Sequence, residues 1–152
     1  MPVEHVRYAA DGWGVGELWL EDGALVWHEL PRPAAESGVP NHPLVERMAA
    51  YFTGERVSFD DVVVDLDWCT PFQRAVAEAL RRVPYGETVT YGELAALAGY
   101  PNAQRAAGSF CARNRTPLVL PCHRVVGAAG LGSYGSLGVA YKQRLLELED
   151  AF

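Results

Sequence analysis

The first seventy residues contain three short stretches in which apolar and polar positions partly alternate. They span residues 3–8, 13–20 and 24–30, and Gly-containing turns separate them. Alternation with a period of two predicts β-strands, and tight turns between consecutive strands predict antiparallel pairing. A Pro-rich stretch at 31–43 predicts a loop, after which apolar residues recur at helical spacing as far as Thr53-Gly54. The pattern therefore predicts a small antiparallel sheet followed by one helix.

From residue 70 onwards the pattern changes to helical spacing with sharp start signals. Thr70 with Gln73, and Thr90 with Glu93, have the spacing of two capping boxes at helix N-termini. A further helix is predicted over residues 103–112, after a Gly-Tyr-Pro turn. Two short helices joined in this way are typical of a helix-turn-helix unit. On this pattern alone, DNA binding and ordinary packing of a helical core both remain open.

Composition limits the classes of protein to consider. The chain has 152 residues, of which 49% are hydrophobic and 21% charged, as in a folded domain and unlike a disordered one. The first twenty residues include four charged side chains, and no segment approaches about 18 apolar residues, so neither a signal peptide nor a membrane span is predicted. Three cysteines without Cys-x-x-Cys spacing disfavour a disulfide framework and a zinc site. We expect a cytoplasmic protein with reduced thiols, no metal and no membrane partner.

The net charge of −6 is unevenly distributed along the chain. Residues 1–70 carry four basic and thirteen acidic side chains, whereas residues 71–152 carry nine basic and six acidic ones. No Asp or Glu lies between Glu93 and Glu147. The basic residues in that gap are Arg105, Arg113, Arg115, Arg124, Lys142 and Arg144. This asymmetry favours a polyanionic partner for the C-terminal part, with a merely solvated basic surface as the alternative.

The most specific pattern is the segment 117–126, which reads Pro-Leu-Val-Leu-Pro-Cys-His-Arg-Val-Val. It resembles the Pro-Cys-His-Arg-Val signature of the O6-alkylguanine-DNA alkyltransferases, also called methylated-DNA–protein-cysteine methyltransferases. The resemblance covers residues 70–150, while the N-terminal part is similar only as a sheet plus helix of the expected size. Agreements at independent spacings are Thr70-Pro71-Phe72-Gln73, Pro84-Tyr85-Gly86, Thr90-Tyr91, Asn102 to Arg105, Asn114 and the closing helix 142–149.

Pattern and resemblance together predict an α/β fold with a boundary near residue 70. We expect residues 1–69 to form a small N-terminal antiparallel sheet plus helix. Residues 70–152 are expected to form a mainly helical C-terminal domain with a winged helix-turn-helix, responsible for DNA binding and alkyl transfer.

The resemblance implies that Cys122 attacks the alkyl carbon on O6 of guanine. A thiol with a pKa of about 8.5 needs a base to become nucleophilic, and His123 is the candidate once a tight turn brings the two side chains together. In the family a glutamate of the last helix orients this histidine, which implies Glu149, with Glu147 as the less favoured substitute. The family's asparagine, which fixes the backbone around the active turn, corresponds to Asn114; its alternative role is a helix C-cap. The thioether product is not hydrolysed, so each molecule acts once and needs no cofactor.

The substrate atom lies inside the duplex, so the base must be flipped out of the stack. Arg105 resembles the family's arginine that fills the vacated place, with a phosphate contact as its alternative. Tyr91 resembles the tyrosine that assists flipping and hydrogen-bonds the guanine ring, with a plain aromatic at a helix start as its alternative. The expected partner is double-stranded DNA with O6-alkylguanine, bound by a monomer. The predicted DNA contacts are Arg105, Asn102, Ala106, Arg113 and Arg124.

The loop at 127–138 departs from the family pattern, which has a tyrosine followed by a small residue. We assign Pro117, Val125 and Tyr134 to the substrate pocket, with Ser136 as a hydrogen-bond donor to the leaving guanine. Aligning Tyr134 with the family's tyrosine requires one residue removed before it and one added after it. An ungapped alignment instead places a glycine at that position and matches Ser136 to the family's serine.

Two other classes of function compete with the enzyme. Alkyltransferase-like lesion sensors share the fold but replace the cysteine, commonly with tryptophan, so the presence of Cys122 weighs against them. A winged-helix regulator or a thiol hydrolase with a fortuitous Cys-His pair leaves Asn114, Arg105 and the motif spacing unexplained. Cys111 is expected to be a packing residue, since no base is adjacent to it, and Cys69 a core residue at the domain boundary.

Overall fold

The structure is a computed structural model that describes residues 3–33 and 42–151. It contains three- and two-stranded sheets together with helices, as the predicted α/β class requires. No helix within the described ranges is long and apolar enough to cross a membrane. Most of the predicted Pro-rich loop, residues 34–41, lies outside the described residues.

Two compact units divide the chain. The first comprises Met1–Asp65 and the short segment Arg115–Pro117, and the second comprises Leu66–Asn114 and Leu118–Phe152. The division after Asp65 falls a few residues before the boundary that the sequence pattern placed at residue 70. The return of three later residues to the first unit has no local signal in the sequence.

The first unit is built on an antiparallel meander in the order β1-β2-β3. Strand β1 spans Val3–Ala10, β2 spans Gly14–Glu21 and β3 spans Ala24–Arg32. All three predicted strands are present. Strand β3 continues through Pro31, two residues beyond its predicted end, because a proline in an edge strand removes no required ladder hydrogen bond.

Helix α1, Pro43–Phe52, supplies the apolar partner of this sheet. Its start is stabilised by His42, whose Nδ1 accepts a hydrogen bond from Leu44 N at 3.1 Å. Alternate strand residues and one stripe of the helix are buried, as period-two and helical spacing require. The buried apolar residues are Val6, Tyr8, Ala10, Trp13, Leu18, Leu20, Leu25 and Leu30 of the strands and their turns, and Leu44, Met48, Tyr51 and Phe52 of the helix.

His28 is a buried polar residue in the first unit, with 2% of its surface exposed. Its Nδ1 lies 2.6 Å from the carbonyl oxygen of Pro117, and its Nε2 lies 2.6 Å from the hydroxyl of Tyr8. Because a carbonyl oxygen only accepts, Nδ1 carries the proton and Nε2 accepts from Tyr8. Gly16 pairs with Tyr8 across the sheet, where any Cβ would overlap the phenol ring.

The outer edge of β3 is partly covered by two other segments of the first unit. Leu25 N donates to Val63 O at 2.7 Å, and Asp65 N donates to Leu25 O at 2.9 Å. Further along, His28 N donates to Arg115 O at 2.8 Å. An open strand edge exposes unpaired backbone groups, so these contacts satisfy groups that would otherwise invite association.

Among its described residues, the second unit contains four α-helices, two short 3-10 helices and one pair of short parallel strands. Both predicted capping boxes are present, with reciprocal side-chain and backbone hydrogen bonds at Thr70 with Gln73 and at Thr90 with Glu93. Residues 98–103 join α3 to α4, and the assignment of this helix pair as a winged helix-turn-helix stays a prediction. The elements are α2 (Pro71–Arg81), β4 (Val89–Thr90), α3 (Tyr91–Leu97), α4 (Gln104–Ala112), β5 (Val125–Val126) and α5 (Val139–Leu148).

Burial makes the stability of the first unit sensitive to acid. It lowers the pKa of His28 from 6.5 to about 4, although the hydrogen bond to Pro117 acts in the opposite direction. The unfolded chain therefore takes up this proton first as the pH falls below 6.5, and the folded state loses stability until the pH reaches about 4. At 1.36 kcal/mol per pKa unit, His28 should remove about 3 kcal/mol of unfolding free energy over that window.

Urea denaturation of the wild type and His28→Asn at pH 6.5, 5.5 and 4.5 measures this contribution. The wild type should lose more unfolding free energy than the variant across the series, because asparagine does not titrate. Equal losses in the two proteins would contradict the assignment of a neutral, buried His28.

Candidate active site

The Pro-Cys-His-Arg sequence forms a short 3-10 turn, Cys122–Arg124, immediately after Pro121. In an extended strand, Cys122 and His123 would point to opposite faces. The tight turn removes that alternation, as the proposed partnership of the two side chains requires. Both residues are buried, with 5% of Cys122 and none of His123 exposed.

The backbone that leads into the turn is held from one side by Asn114. Its Nδ2 donates to Leu120 O at 2.8 Å, and Cys122 N donates to the same oxygen at 2.7 Å. Leu118, two residues earlier, has a φ of +78°, a left-handed conformation that costs free energy for a residue with a Cβ. Asn114 therefore braces a strained approach to the cysteine, beyond any role as a helix cap.

The parallel pairing of β4 with β5 relates Tyr91 to the cysteine turn. Val89 pairs with Val125 and Thr90 with Val126. Tyr91 follows β4 directly, and the turn precedes β5 directly. Val125 is fully buried in this pairing, so the residue predicted for the substrate pocket is part of the unit's core.

Glu149, just after the end of α5, accepts hydrogen bonds from three neighbours. His123 Nε2 lies 2.7 Å from Oε2, Arg124 donates from Nε at 2.8 Å and from Nη2 at 3.0 Å, and Gly86 N donates at 3.2 Å. Glu147 is exposed, so the geometry selects Glu149 over Glu147 as the partner of the histidine. The Pro84-Tyr85-Gly86 turn thereby acquires a function as a backbone donor to this carboxylate.

The placement of Arg124 corrects the expectation that it contacts DNA. Its side chain is buried, and its guanidinium donates to both carboxylate oxygens of Glu149 and, from Nη1, to Val83 O at 2.8 Å. The guanidinium carbon also lies 5.7 Å from the centre of the Tyr85 ring. Because these contacts occupy the guanidinium, it is not available to bind a phosphate. The sequence motif alone does not indicate the partners Glu149 and Val83.

The charges in this cluster fix which groups carry protons. Burial raises the pKa of Glu149, but the hydrogen bonds from His123 and Arg124 and the charge of Arg124 outweigh burial and hold that pKa far below its usual range. Burial lowers the pKa of His123, so the ring is neutral at neutral pH. Because Glu149 accepts the Nε2 proton, the neutral ring has its lone pair on Nδ1 and is a base.

The Cys122 thiol is protonated at rest. Burial raises its pKa, and the polar side chains of Asn114 and Tyr134 together with the charge of Lys142 act in the opposite direction without reversing the shift. A thiol is a nucleophile only as the thiolate, so Cys122 needs a base to take its proton. His123 is the base that adjoins it in the chain.

Lys142 belongs to the site, whereas its sequence position predicted only that it is one of the basic residues of the C-terminal part. Its side chain is buried, and Nζ lies 3.4 Å from the hydroxyl oxygen of Tyr91 and 3.3 Å from Ser133 O. Burial lowers its pKa. The available signal was its spacing, because positions 142, 145 and 149 share one face of a helix, and Leu145 and Glu149 both point inward.

The remaining predicted site residues differ in burial and in the unit to which they belong. Ser136 is exposed, two residues after Tyr134, and Pro117 belongs to the first unit, where it accepts the hydrogen bond from His28. Burial raises the pKa of Cys111 well above its ordinary value, which agrees with a packing role. The exposed residues predicted to contact DNA, on or beside α4, are Asn102, Arg105, Ala106 and Arg113.

Comparison with known proteins identifies the family. The family model described as 6-O-methylguanine DNA methyltransferase, DNA binding domain, matches residues 71–151, more than half of the chain. The chain belongs to this family. A Mycobacterium tuberculosis methylated-DNA–protein-cysteine methyltransferase is 46% identical over 123 residues, which cover 80% of this chain and 70% of the relative. The family resemblance inferred from the cysteine motif is confirmed.

Solved structures of this methyltransferase family extend the similarity to the whole fold. The crystal structure of Mycobacterium tuberculosis O6-methylguanine methyltransferase has a TM-score of 0.82 and 33% identity, and covers 99% of this chain and 94% of that chain. The crystal structure of the Mycobacterium tuberculosis protein in complex with DNA has a TM-score of 0.79 and 35% identity, with coverages of 97% and 92%. The predicted α/β fold class is therefore confirmed.

The buried cluster of Glu149, His123 and Arg124 predicts a large difference in stability between two arginine variants. Arg124→Ala leaves the carboxylate of Glu149 buried without its main counter-charge, a change that costs about 3–5 kcal/mol of unfolding free energy. Arg113→Ala removes an exposed side chain of the same type and should change stability by less than about 0.5 kcal/mol. Urea denaturation of both variants at pH 7 measures the two unfolding free energies. Similar losses of unfolding free energy in the two variants would refute the role of Arg124 as the counter-charge of Glu149.

Proposed function

We propose that this protein repairs DNA by direct reversal of damage. It transfers a methyl or other alkyl group from O6 of guanine in duplex DNA to the sulfur of Cys122, once per molecule. The observation that carries the proposal is the buried arrangement in which Glu149 holds His123 next to Cys122 in a member of the methyltransferase family. The relatives named methylated-DNA–protein-cysteine methyltransferases support the same reaction.

The transfer forms one bond and breaks one. His123 takes the thiol proton at Nδ1, directly or through water, while Glu149 stabilises the imidazolium that results. The sulfur then attacks the alkyl carbon, and the electron pair of the C–O6 bond stays with guanine. The guanine anion takes up a proton from water, and the imidazolium of His123 releases the thiol proton to water, so the net products are the thioether and unmodified guanine. The thioether is stable, and the displacement uses no metal or organic cofactor.

Tyr91 is suited to donate a hydrogen bond to the leaving guanine. Burial, followed by the nearby cysteines, raises the pKa of Tyr91, so its hydroxyl keeps its proton. The oxygen of that hydroxyl accepts from Lys142, which leaves the Tyr91 proton available to another acceptor. Donors aimed at developing charge in a buried site are a major source of rate enhancement.

The proposed DNA contacts lie on α4 and its ends, within the stretch that lacks acidic residues. Arg105 would fill the space left by the flipped base, with Asn102, Ala106 and Arg113 against the backbone or groove. The DNA-bound structure of the Mycobacterium tuberculosis relative supports DNA as the partner.

The substrate pocket and the cellular setting are part of the same proposal. Tyr134, whose side chain acts to lower the pKa of the Cys122 thiol, is the pocket residue with an interaction to support it. Ser136 as a donor and Pro117 as a wall rest on the resemblance. We place the monomeric protein in the cytoplasm, where a reduced thiol persists.

Intact-protein mass spectrometry after incubation with duplex DNA containing O6-methylguanine tests the reaction. The wild type should gain one methyl group per molecule and no more, because the sulfur is consumed. Cys122→Ala should gain none, and Cys111→Ala should behave as the wild type does. Tight binding of the lesion without any mass gain would instead make the protein a lesion sensor.

The role of Arg105 separates base flipping from phosphate binding. Arg105→Ala should slow transfer on duplex DNA by on the order of tenfold or more, with a smaller effect on single-stranded DNA that needs little unstacking. Arg105→Lys keeps the charge but loses the planar group that can stack. Single-turnover rates at several salt concentrations distinguish the roles: full rescue by lysine, with a salt slope reduced by about one only in the alanine variant, would indicate a phosphate contact instead.

A further inference from the structure

Two hydrogen bonds from one residue fasten the segment Arg115–Pro117 to strand β3. The backbone N–H of His28 donates to Arg115 O, and its side-chain Nδ1–H donates to Pro117 O. The segment lies between Asn114 and Leu118, which both belong to the second unit. The chain thus leaves the second unit for three residues, is held by His28, and returns to continue towards the cysteine.

The stretch that follows needs support at its start. Leu118 is 3% exposed and adopts a left-handed backbone that neighbouring contacts must maintain. On its far side, Leu120 O accepts from Asn114 and from Cys122 N. On its near side, the fixed carbonyl is that of Pro117, held by His28 at 2.6 Å.

The hydroxyl of Tyr8 matches the tautomer of His28 that the carbonyl of Pro117 requires. The Tyr8 side chain is fully buried, and its hydroxyl lies 2.6 Å from Nε2 of His28. When the hydroxyl donates to Nε2, the ring proton must be on Nδ1, where it can bond to the carbonyl of Pro117. The tyrosine therefore stabilises the tautomer with which His28 holds the segment. His28 and Pro117 are 89 positions apart in the chain.

We propose that His28 is a positioning residue for alkyl transfer at Cys122. By holding the carbonyl of Pro117 it sets the direction in which the chain enters Leu118, and so the backbone of residues 118–122 that carries the thiol. Small displacements of a reacting group slow a displacement strongly, because attack requires alignment with the bond that breaks. The kinetic part of this inference rests on the proposed function, whereas its structural part does not.

Two amide substitutions separate the bond to Pro117 from the bond to Tyr8. In His28→Asn the amide nitrogen lies near the position of Nδ1 and keeps a donor for Pro117 O. In His28→Gln the amide lies near the position of Nε2 and keeps only the contact with Tyr8. Adding Tyr8→Phe to His28→Asn removes the hydroxyl that would be left without its acceptor. Met48→Ala is the control, because Met48 is fully buried in α1 of the same unit.

Hydrogen exchange by mass spectrometry reports on residues 118–122 without any substrate. Under conditions where all variants are folded, His28→Gln should exchange faster there than the wild type. His28→Asn, alone or with Tyr8→Phe, should remain close to the wild type, and so should Met48→Ala. Equal exchange in the glutamine and asparagine variants, or an equal increase in Met48→Ala, would overturn the inference.

Single-turnover transfer and DNA affinity provide the second readout. His28→Gln should transfer methyl about tenfold more slowly with DNA affinity within twofold of the wild type, and His28→Asn should restore most of the rate. A rate loss in Met48→Ala equal to that in His28→Gln would show a general effect of stability and refute the positioning role. If the wild type transfers no methyl, the proposed function fails, and the exchange measurement still decides the inference.

Discussion

The buried carboxylate of Glu149 is the constraint on which the second unit depends. An ionised carboxylate inside a protein is tolerated only when charge and hydrogen bonds replace the water it has lost. His123, Arg124 and the backbone of Gly86 supply those groups from two separate parts of the chain. The histidine motif, the Pro-Tyr-Gly turn and the final helix, which look unrelated in the sequence, therefore meet because one negative charge requires all of them.

The same cluster explains how a thiol can be both protected and usable. Burial keeps Cys122 protonated, so it reacts poorly with small electrophiles and oxidants that require a thiolate. Arg124 balances the charge of Glu149. Burial keeps the His123 ring neutral, so that it can accept a proton. The nucleophile is then generated by proton transfer within the site. That arrangement suits a protein in which the sulfur of Cys122 reacts only once per molecule.

Features set by neighbouring residues were predictable, and those set by distant partners were not. The capping boxes at Thr70 and Thr90 were predicted because donor and acceptor lie three residues apart. The motif around Cys122 located the candidate site through its resemblance to the family signature, which is likewise a pattern of neighbouring residues. Arg124 was assigned to DNA wrongly, because its partner Glu149 is 25 positions away. The inward direction of the Lys142 side chain was not predicted. The bond from His28 to Pro117 joins residues that are 89 positions apart, and the local sequence around neither residue indicates it.

The excursion of Arg115–Pro117 into the first unit interleaves the two units along the chain. A ribosome completes the sheet and helix of the first unit long before it adds residue 117, yet the buried His28 lacks its carbonyl partner until then. The first unit therefore reaches its final state only after most of the second has been synthesised. Neither unit is a continuous segment, so no single cut between them would yield two complete halves.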